Sequence, residues 1–229
     1  MTNHSSKVTR NEKLADKTVG VWFEKPIGFD FKPGQFVNIT LAQDDVKITH
    51  CMTIASTPHE PELLVAARLT GSAYKNILEK LKPGDTIDFS KPLGSFTLQK
   101  SKLPAVFIAG GIGITPFLSI LKDAEENKSA RQFVLFYFNK EKSGATFLTE
   151  LSALQLPNYN FIPVMTDDVA WPGEHGYLTE TLLKKHLNIK QDDYYVVGPP
   201  RMVKESVELL KKLSVPNEQI KSEEFIGYN

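Results

Sequence analysis

Along the first hundred residues, short runs rich in Val, Ile, Thr and Phe are separated by turn residues. They are TVGVWFE (18–24), QFVNITL (35–41), MTIAS (52–56), ELLVAARL (62–69), DTIDF (85–89) and SFTL (95–98). Short runs of such residues between turn signals predict strands. KPGQ (32–35) and KPGD (82–85) each place a Pro-Gly turn ahead of a strand. One segment differs: AYKNILEKL (73–81) carries Ile77, Leu78 and Leu81 at helical spacing. Many short strands with a single helix predict a small antiparallel β-barrel.

Beyond Lys100-Ser101-Lys102 the rhythm changes. AVFIA (105–109), FVLFYF (133–138), FIPVM (161–165) and YYVV (194–197) are short and almost wholly apolar, as strands buried on both faces are. Between them lie helical stretches: PFLSILKDAEEN with Thr115 as candidate N-cap and Pro116 at the first helical position, TFLTELSAL, LTETLLKKHL opened by Thr179, and finally MVKESVELLKKL. Strands alternating with helices predict an α/β unit with a parallel sheet. The expectation is two domains, 1–100 a β-barrel and 101–229 an α/β nucleotide-binding fold.

Charge and cysteine content then remove whole classes of function. Lys+Arg and Asp+Glu both total 27 in 229 residues, so a general nucleic-acid binder is not expected. Cys51 is the single cysteine, which leaves no intrachain disulfide and no cysteine-ligated iron–sulfur or zinc site. The five histidines have no partner histidine at i+3 or i+4, and no metal is expected. MTNHSSKVTR lacks the apolar stretch of a signal peptide, and no apolar run is long enough to span a membrane. A soluble cytoplasmic protein is expected.

The candidate chemistry sits where strands end. AGGIGITP (109–116) places Gly110, Gly111 and Gly113 between the first parallel strand and its helix. Glycines there accept positive φ and let backbone N–H groups approach a phosphate at a helix N-terminus, with Thr115 offering a hydroxyl. A tight turn without ligand fits the same residues, and the loop departs from G-x-G-x-x-G. VVGPPRMV (196–203) forms a second such turn, and two on one sheet edge favour a dinucleotide cleft.

Taken in order, these motifs resemble those of the ferredoxin–NADP⁺ reductase-like flavoproteins. GGIGITP is similar to the family's G-G-x-G-x-x-P dinucleotide loop, in which Pro116 is expected, and GPPRM to its C/G-G-P-x-x-M turn. PLGSF (92–96), HCMTIAS (50–56), GSAYKNIL (71–78) and the closing SEEFIGYN follow in family positions. The likeness covers nearly the whole chain and is nearest to short members without iron–sulfur or haem domains. The electron-transfer subunit of dihydroorotate dehydrogenase would need a cysteine cluster that is missing here.

The resemblance implies FAD and a nicotinamide dinucleotide as cofactors, with hydride passing from nicotinamide C4 to flavin N5. Flavin contacts are implied at His50, Cys51, Met52, Thr53 and Arg68, and along the helix entry at Gly71, Ser72, Ala73, Tyr74 and Lys75. Dinucleotide contacts are implied at Gly110, Gly111, Gly113, Thr115, Asp167, Gly198, Pro199 and Met202. Thr53, Glu223 and Phe225 are implied at the reacting centre, with Tyr228 as a second aromatic cover.

Two departures stand in HCMTIAS. His50 replaces an arginine that is always charged, and Met52 replaces an aromatic. Lys75, Ser72 and the helix N-terminus are the candidates for neutralising phosphate instead, although Lys75 also reads as a solvated helix residue and Met52 as core. NADPH-preferring relatives carry Ser-Arg where this chain has Thr166-Asp167-Asp168; two carboxylates favour NADH, while Lys140 and Lys142 offer opposing charge. The expected function is an NAD(P)H-dependent flavin oxidoreductase delivering electrons to a protein such as ferredoxin or flavodoxin, to free flavin or to a quinone. The alternatives are a flavin-poor binding or regulatory module, and an electron-transfer subunit of a larger complex.

Overall fold

A computed structural model describes residues 3–43, 46–189 and 192–225. Within these the chain forms two compact units, the first from 3–98 and Thr115–Ala124, the second from Gln99–Ile114 and 125–225.

The first unit holds β1 (Asn3–Ala15), β2 (Thr18–Glu24), β3 (Phe36–Gln43), β4 (Val46–Thr53), β5 (Glu62–Arg68), α1 (Ala73–Lys80) and β6 (Thr86–Ser90). The strands pair antiparallel in the order β4-β3-β6-β1-β2-β5. The two outer strands are then tied together. Ala55 N donates to Leu64 O (2.8 Å), and Leu64 N donates to Ser56 Oγ (3.0 Å). Those bonds close the sheet toward a barrel around Val21, Phe23, Val37, Ile39, Ile54, Leu63, Val65 and Phe89. Both Lys-Pro-Gly turns form as expected, with Gly34 and Gly84 at φ +95° and +94° and bonds from Gln35 N to Lys32 O and from Asp85 N to Lys82 O.

β1 is the element that pattern reading passes over. NHSSKVTRNEKLA is almost wholly polar, yet it lies inside the strand order, pairing β6 through residues 3–7 and β2 through 8–15. Val8 is its buried anchor, and the Arg10 guanidinium lies 4.2 Å from the Trp22 ring. Long polar side chains cover this face, so the apolar alternation is missing. Conversely, SFTL is not a strand: Leu93 makes one bridge to Phe36, Gly94 turns at φ +93°, and the chain leaves the sheet. The strand expected as MTIAS starts earlier, at Val46, and ends at Thr53.

The second unit supplies β7 (Ala105–Gly110), β8 (Phe133–Asn139), α3 (Leu148–Ser152), β9 (Tyr159–Met165), β10 (Glu174–His175), α4 (Glu180–His186), β11 (Asp193–Gly198), α5 (Pro200–Lys212) and β12 (Ile220–Glu224). Helix α2 (Thr115–Glu126) follows β7, and its Thr115–Ala124 stretch belongs to the first unit. There Ser119 Oγ donates to Ser56 O (2.6 Å) and Lys122 Nζ meets Glu60 Oε1 (2.7 Å). The parallel sheet runs β10-β9-β8-β7-β11-β12, and β7, β8 and β11 are buried throughout.

Three local expectations shift. Gly111–Ile114 already winds as a 3-10 turn that runs into α2 at Thr115, so Thr115 is not a free-standing cap. Thr179 does cap α4, its Oγ1 accepting from Leu182 N (3.1 Å). The helix expected over TFLTELSAL shrinks to Leu148–Ser152, because Phe147 adopts φ 61°, ψ 17°. Among the described residues no helix is long and apolar enough to cross a membrane.

Candidate functional site

In the second unit, the chain steps from β7 outward through β8, β9 and β10, then returns to lay β11 and β12 on the other side of β7. The carboxyl ends of β7 and β11 therefore flank a topological switch point, where open parallel sheets bind ligands. Gly110–Thr115 leaves one of these ends and Gly198–Met202 the other, so the two turns read from the sequence stand side by side.

Their contacts show why glycine is needed. A Cβ on Gly113 would stand 2.7 Å from Val197 O and 3.0 Å from Gly198 Cα. One on Gly198 would stand 3.1 Å from the Gly110 Cα, and one on Gly110 would run into Met202 Sδ and stand 2.9 Å from Pro199 Cδ. Gly110, Gly113 and Gly198 thus let two backbones and Met202 pack closely. Gly111 alone in this turn has positive φ (+53°), with no atom within 4 Å of where its Cβ would be. It is the glycine that faces open space. Thr115 is 1% exposed, whereas Pro199 is exposed on the second turn.

β12 completes this edge. Glu223 pairs with Val197, and Phe225 N donates to Gly198 O (2.9 Å), tying the segment after β12 to the second turn. Burial raises the Glu223 carboxyl above its ordinary pKa. Phe225 is half-buried; Tyr228 lies outside the described residues. At the end of β9 the two carboxylates separate. Asp168 accepts from Lys142 N and Ala170 N, both at 3.2 Å, and so braces its own loop. Asp167 is exposed, and its backbone N donates to Lys140 O (2.9 Å). Lys140 and Lys142 are exposed nearby in sequence.

In the first unit, β4 brings HCMTIAS toward α1. The His50 ring stacks on Tyr74 with centroids 4.2 Å apart and planes 2° from parallel. Tyr74 is 1% exposed, and its hydroxyl has no hydrogen-bond partner among the described residues. The same holds for Ser72 Oγ, although Ser72 stands at the N-cap of α1. Lys75 Nζ donates to Thr70 Oγ1 (3.1 Å). Burial lowers the pKa of Lys75; burial first, then the Lys75 charge, lowers that of His50. Two basic side chains whose charged forms are disfavoured by burial, beside a helix N-terminus and two hydroxyls without partners among the described residues, form a setting that an anion would relieve.

The remaining candidates distribute unevenly around this point. Gly71 (φ +82°) and Ala73 are exposed, Cys51 is an exposed thiol, and Thr53 is half-buried opposite Phe36. Met52 is 8% exposed within the barrel core. Arg68 reaches the Asp16 carbonyl at the β1–β2 turn (3.3 Å).

Residues 107–208 match the family model described as the oxidoreductase NAD-binding domain. The chain is 29% identical to the reductase component of propane 2-monooxygenase from Rhodococcus jostii, over 96% of this chain and 63% of that protein. It is 27% identical to the anthranilate 1,2-dioxygenase electron transfer component of Acinetobacter baylyi, over 87% of this chain and 60% of that protein. It therefore spans about three fifths of the length of these curated relatives. Among solved structures, the FAD/NAD-binding domain of Vibrio cholerae nitric oxide dioxygenase matches with a TM-score of 0.88 at 20% identity, over 96% of this chain and 98% of that one. A Neisseria gonorrhoeae ferredoxin NADP⁺ reductase with bound FAD and NADP matches at 0.85 and 23%, over 98% and 99%.

Proposed function

We propose that this chain, which belongs to the ferredoxin reductase-like flavoproteins, is an NAD(P)H-dependent oxidoreductase holding FAD in residues 1–100 and nicotinamide dinucleotide in 101–229. The observation that carries this reading is the switch point between β7 and β11, flanked by two glycine turns packed on each other.

The residues present fit both groups. For the dinucleotide, Gly111 offers backbone facing open space, and the turn beneath it is held by Gly113 and Met202. For the flavin, the unpaired hydroxyls of Ser72 and Tyr74, with His50 and Lys75, suit its phosphates. When bound, the flavin supplies hydride acceptance from the dihydronicotinamide and onward release of electrons. The protein's part is to hold, orient and exclude water. Thr53 would orient the flavin edge by its hydroxyl; at the end of β12, Glu223, its carboxyl partly desolvated, would hold a proton, and Phe225 would offer an aromatic cover.

Asp167 is the residue proposed to bond the adenosine ribose hydroxyls, because Asp168 is committed to backbone amides. This favours NADH. The reductase and electron-transfer names of the curated relatives support a protein redox partner as acceptor, and we place the protein in the cytoplasm.

The purified protein is expected to show the flavin absorbance band, and anaerobic NADH to bleach it faster than equal NADPH. A colourless protein that FAD does not reconstitute would support the second reading, a flavin-poor module. The buried Met52 and the His50–Tyr74 stack are what favour that second reading.

Lys75→Ala tests the flavin phosphate contact. A hydrogen bond to a charged group contributes about 1.5–3 kcal/mol, so flavin affinity is expected to fall roughly tenfold or more. Fluorescence titration of the apoprotein with FAD reads this directly, and an unchanged affinity removes Lys75 from the site.

A further inference from the structure

Asn139 closes β8 at the carboxyl edge of the parallel sheet. It is 6% exposed, and neither its Nδ2 nor its Oδ1 has a hydrogen-bond partner among the described residues. A buried amide in that condition is unfavourable, and an apolar side chain of the same shape would avoid the penalty. The connection that follows carries two further costs. Thr146 is 1% exposed, and its Oγ1 also lacks a partner. Phe147, a buried aromatic residue, holds φ 61° in the left-handed region. Three unfavourable features therefore occur within nine residues of chain.

Their place in the sheet gives them meaning. Phe138 pairs with Gly110, directly before the Gly111 turn, and Asn139 pairs with Met165, two residues before Asp167. Asn139 O accepts from Thr166 N, and Lys140 O from Asp167 N, both at 2.9 Å. The connection is thus fastened at its start to the end of β9. Further along, Lys142 N donates to Asp168, and Tyr137 Oη donates to Thr146 O (3.1 Å). The amide stands in register between the residues assigned to the pyrophosphate and those assigned to the ribose.

We propose that Asn139 is a positioning residue for the nicotinamide dinucleotide: ligand binding shifts the 140–147 connection and gives the Asn139 amide partners that the described residues do not supply. This rests on the reading of the β7–β11 switch point as the dinucleotide site. Local strain and an unmet polar group persist where binding uses them, since a ligand that relieves them selects the rearranged state.

The test compares wild type with Asn139→Leu and Thr146→Val. Each is read by thermal melting without ligand, by calorimetric titration with NAD⁺ and with ADP-ribose, and by hydrogen exchange across 140–147. Asn139→Leu is expected to melt higher than wild type, to bind both ligands at least tenfold more weakly, and to lose ligand-induced protection of 140–147. Thr146→Val is expected to show the same opposed changes on a smaller scale, and it carries the test if Asn139→Leu does not fold. A merely structural asparagine would move both readouts downward together. If Asn139→Leu melts lower, an ordered water already satisfies the amide and the proposal is overturned. If wild type binds and both variants bind equally well, this proposal falls and the dinucleotide reading stands. If wild type binds neither ligand, both fall.

Discussion

Replacing Arg131 with methionine is expected to lower the stability of the second unit by about 3–5 kcal/mol, the range for breaking a buried ion pair from one side. Arg131 Nη2 lies 2.8 Å from Asp193 Oδ2, with the two side chains only 9% and 7% exposed. The same guanidinium donates to Leu103 O (2.7 Å) and Gln99 O (3.0 Å). It therefore fastens the segment entering β7 to the first residue of β11, at the amino ends of the two strands whose carboxyl ends carry the glycine turns. Methionine restores most of the packing volume but none of the charge, so Asp193 is left as an uncompensated buried carboxylate and two carbonyls lose a donor. The pair contributes far less than the penalty for splitting it, so Arg131→Met/Asp193→Leu is expected to recover much of the loss. Urea unfolding of the single and double variants measures both. A single-variant loss below about 1 kcal/mol, the range of exposed pairs, would mean that water reaches the site.

The sequence made the second unit legible because its central strands are buried on both faces. AVFIA, FVLFYF and YYVV are read as continuous apolar runs, and each is a strand. Thr179 at the N-cap of α4 was equally readable, since capping is local chemistry. β1 was not, because a strand dressed in Arg, Lys, Glu and Ser offers no apolar alternation even when its backbone pairs on both sides. Neither was SFTL, whose composition is that of a strand while Gly94 turns the chain out of the sheet.

The candidate site divides in the same way. Its turns could be found by composition, but the switch point depends on strand order, which no single segment encodes. The separate fates of Asp167 and Asp168 depend on which carboxylate the loop amides take. Asn139 gave no signal at all, since an asparagine after an apolar run is an ordinary strand end. What marks it is the absence of partners among the described residues once the chain is folded. The likeness to ferredoxin reductase-like proteins implied dinucleotide contacts at all three glycines of the first turn. The folded chain divides them between packing and exposure.

That division yields a pair of variants with opposite signatures. In Gly113→Ala the new methyl would sit 2.7 Å from Val197 O and 2.9 Å from Val197 C, and both are backbone atoms of a fully buried strand. No side chain can swing aside, so the two turns must separate. Overpacking of this kind costs about 1–3 kcal/mol and sometimes more. Stability and NADH affinity are expected to fall together, because the Gly198 turn moves with Val197. In Gly111→Ala nothing lies within 4 Å of the new methyl, and the cost is confined to the left-handed backbone at φ +53°, about 1–2 kcal/mol. Its methyl projects into the open space that the reading assigns to the pyrophosphate, so NADH affinity is expected to fall at least tenfold with only a small change in melting. Thermal melting and NADH titration of the two proteins decide between the roles. If Gly111→Ala binds NADH as wild type does, the pyrophosphate does not approach this face of the turn. If Gly113→Ala melts like wild type, the two turns are not held by the contact seen between them.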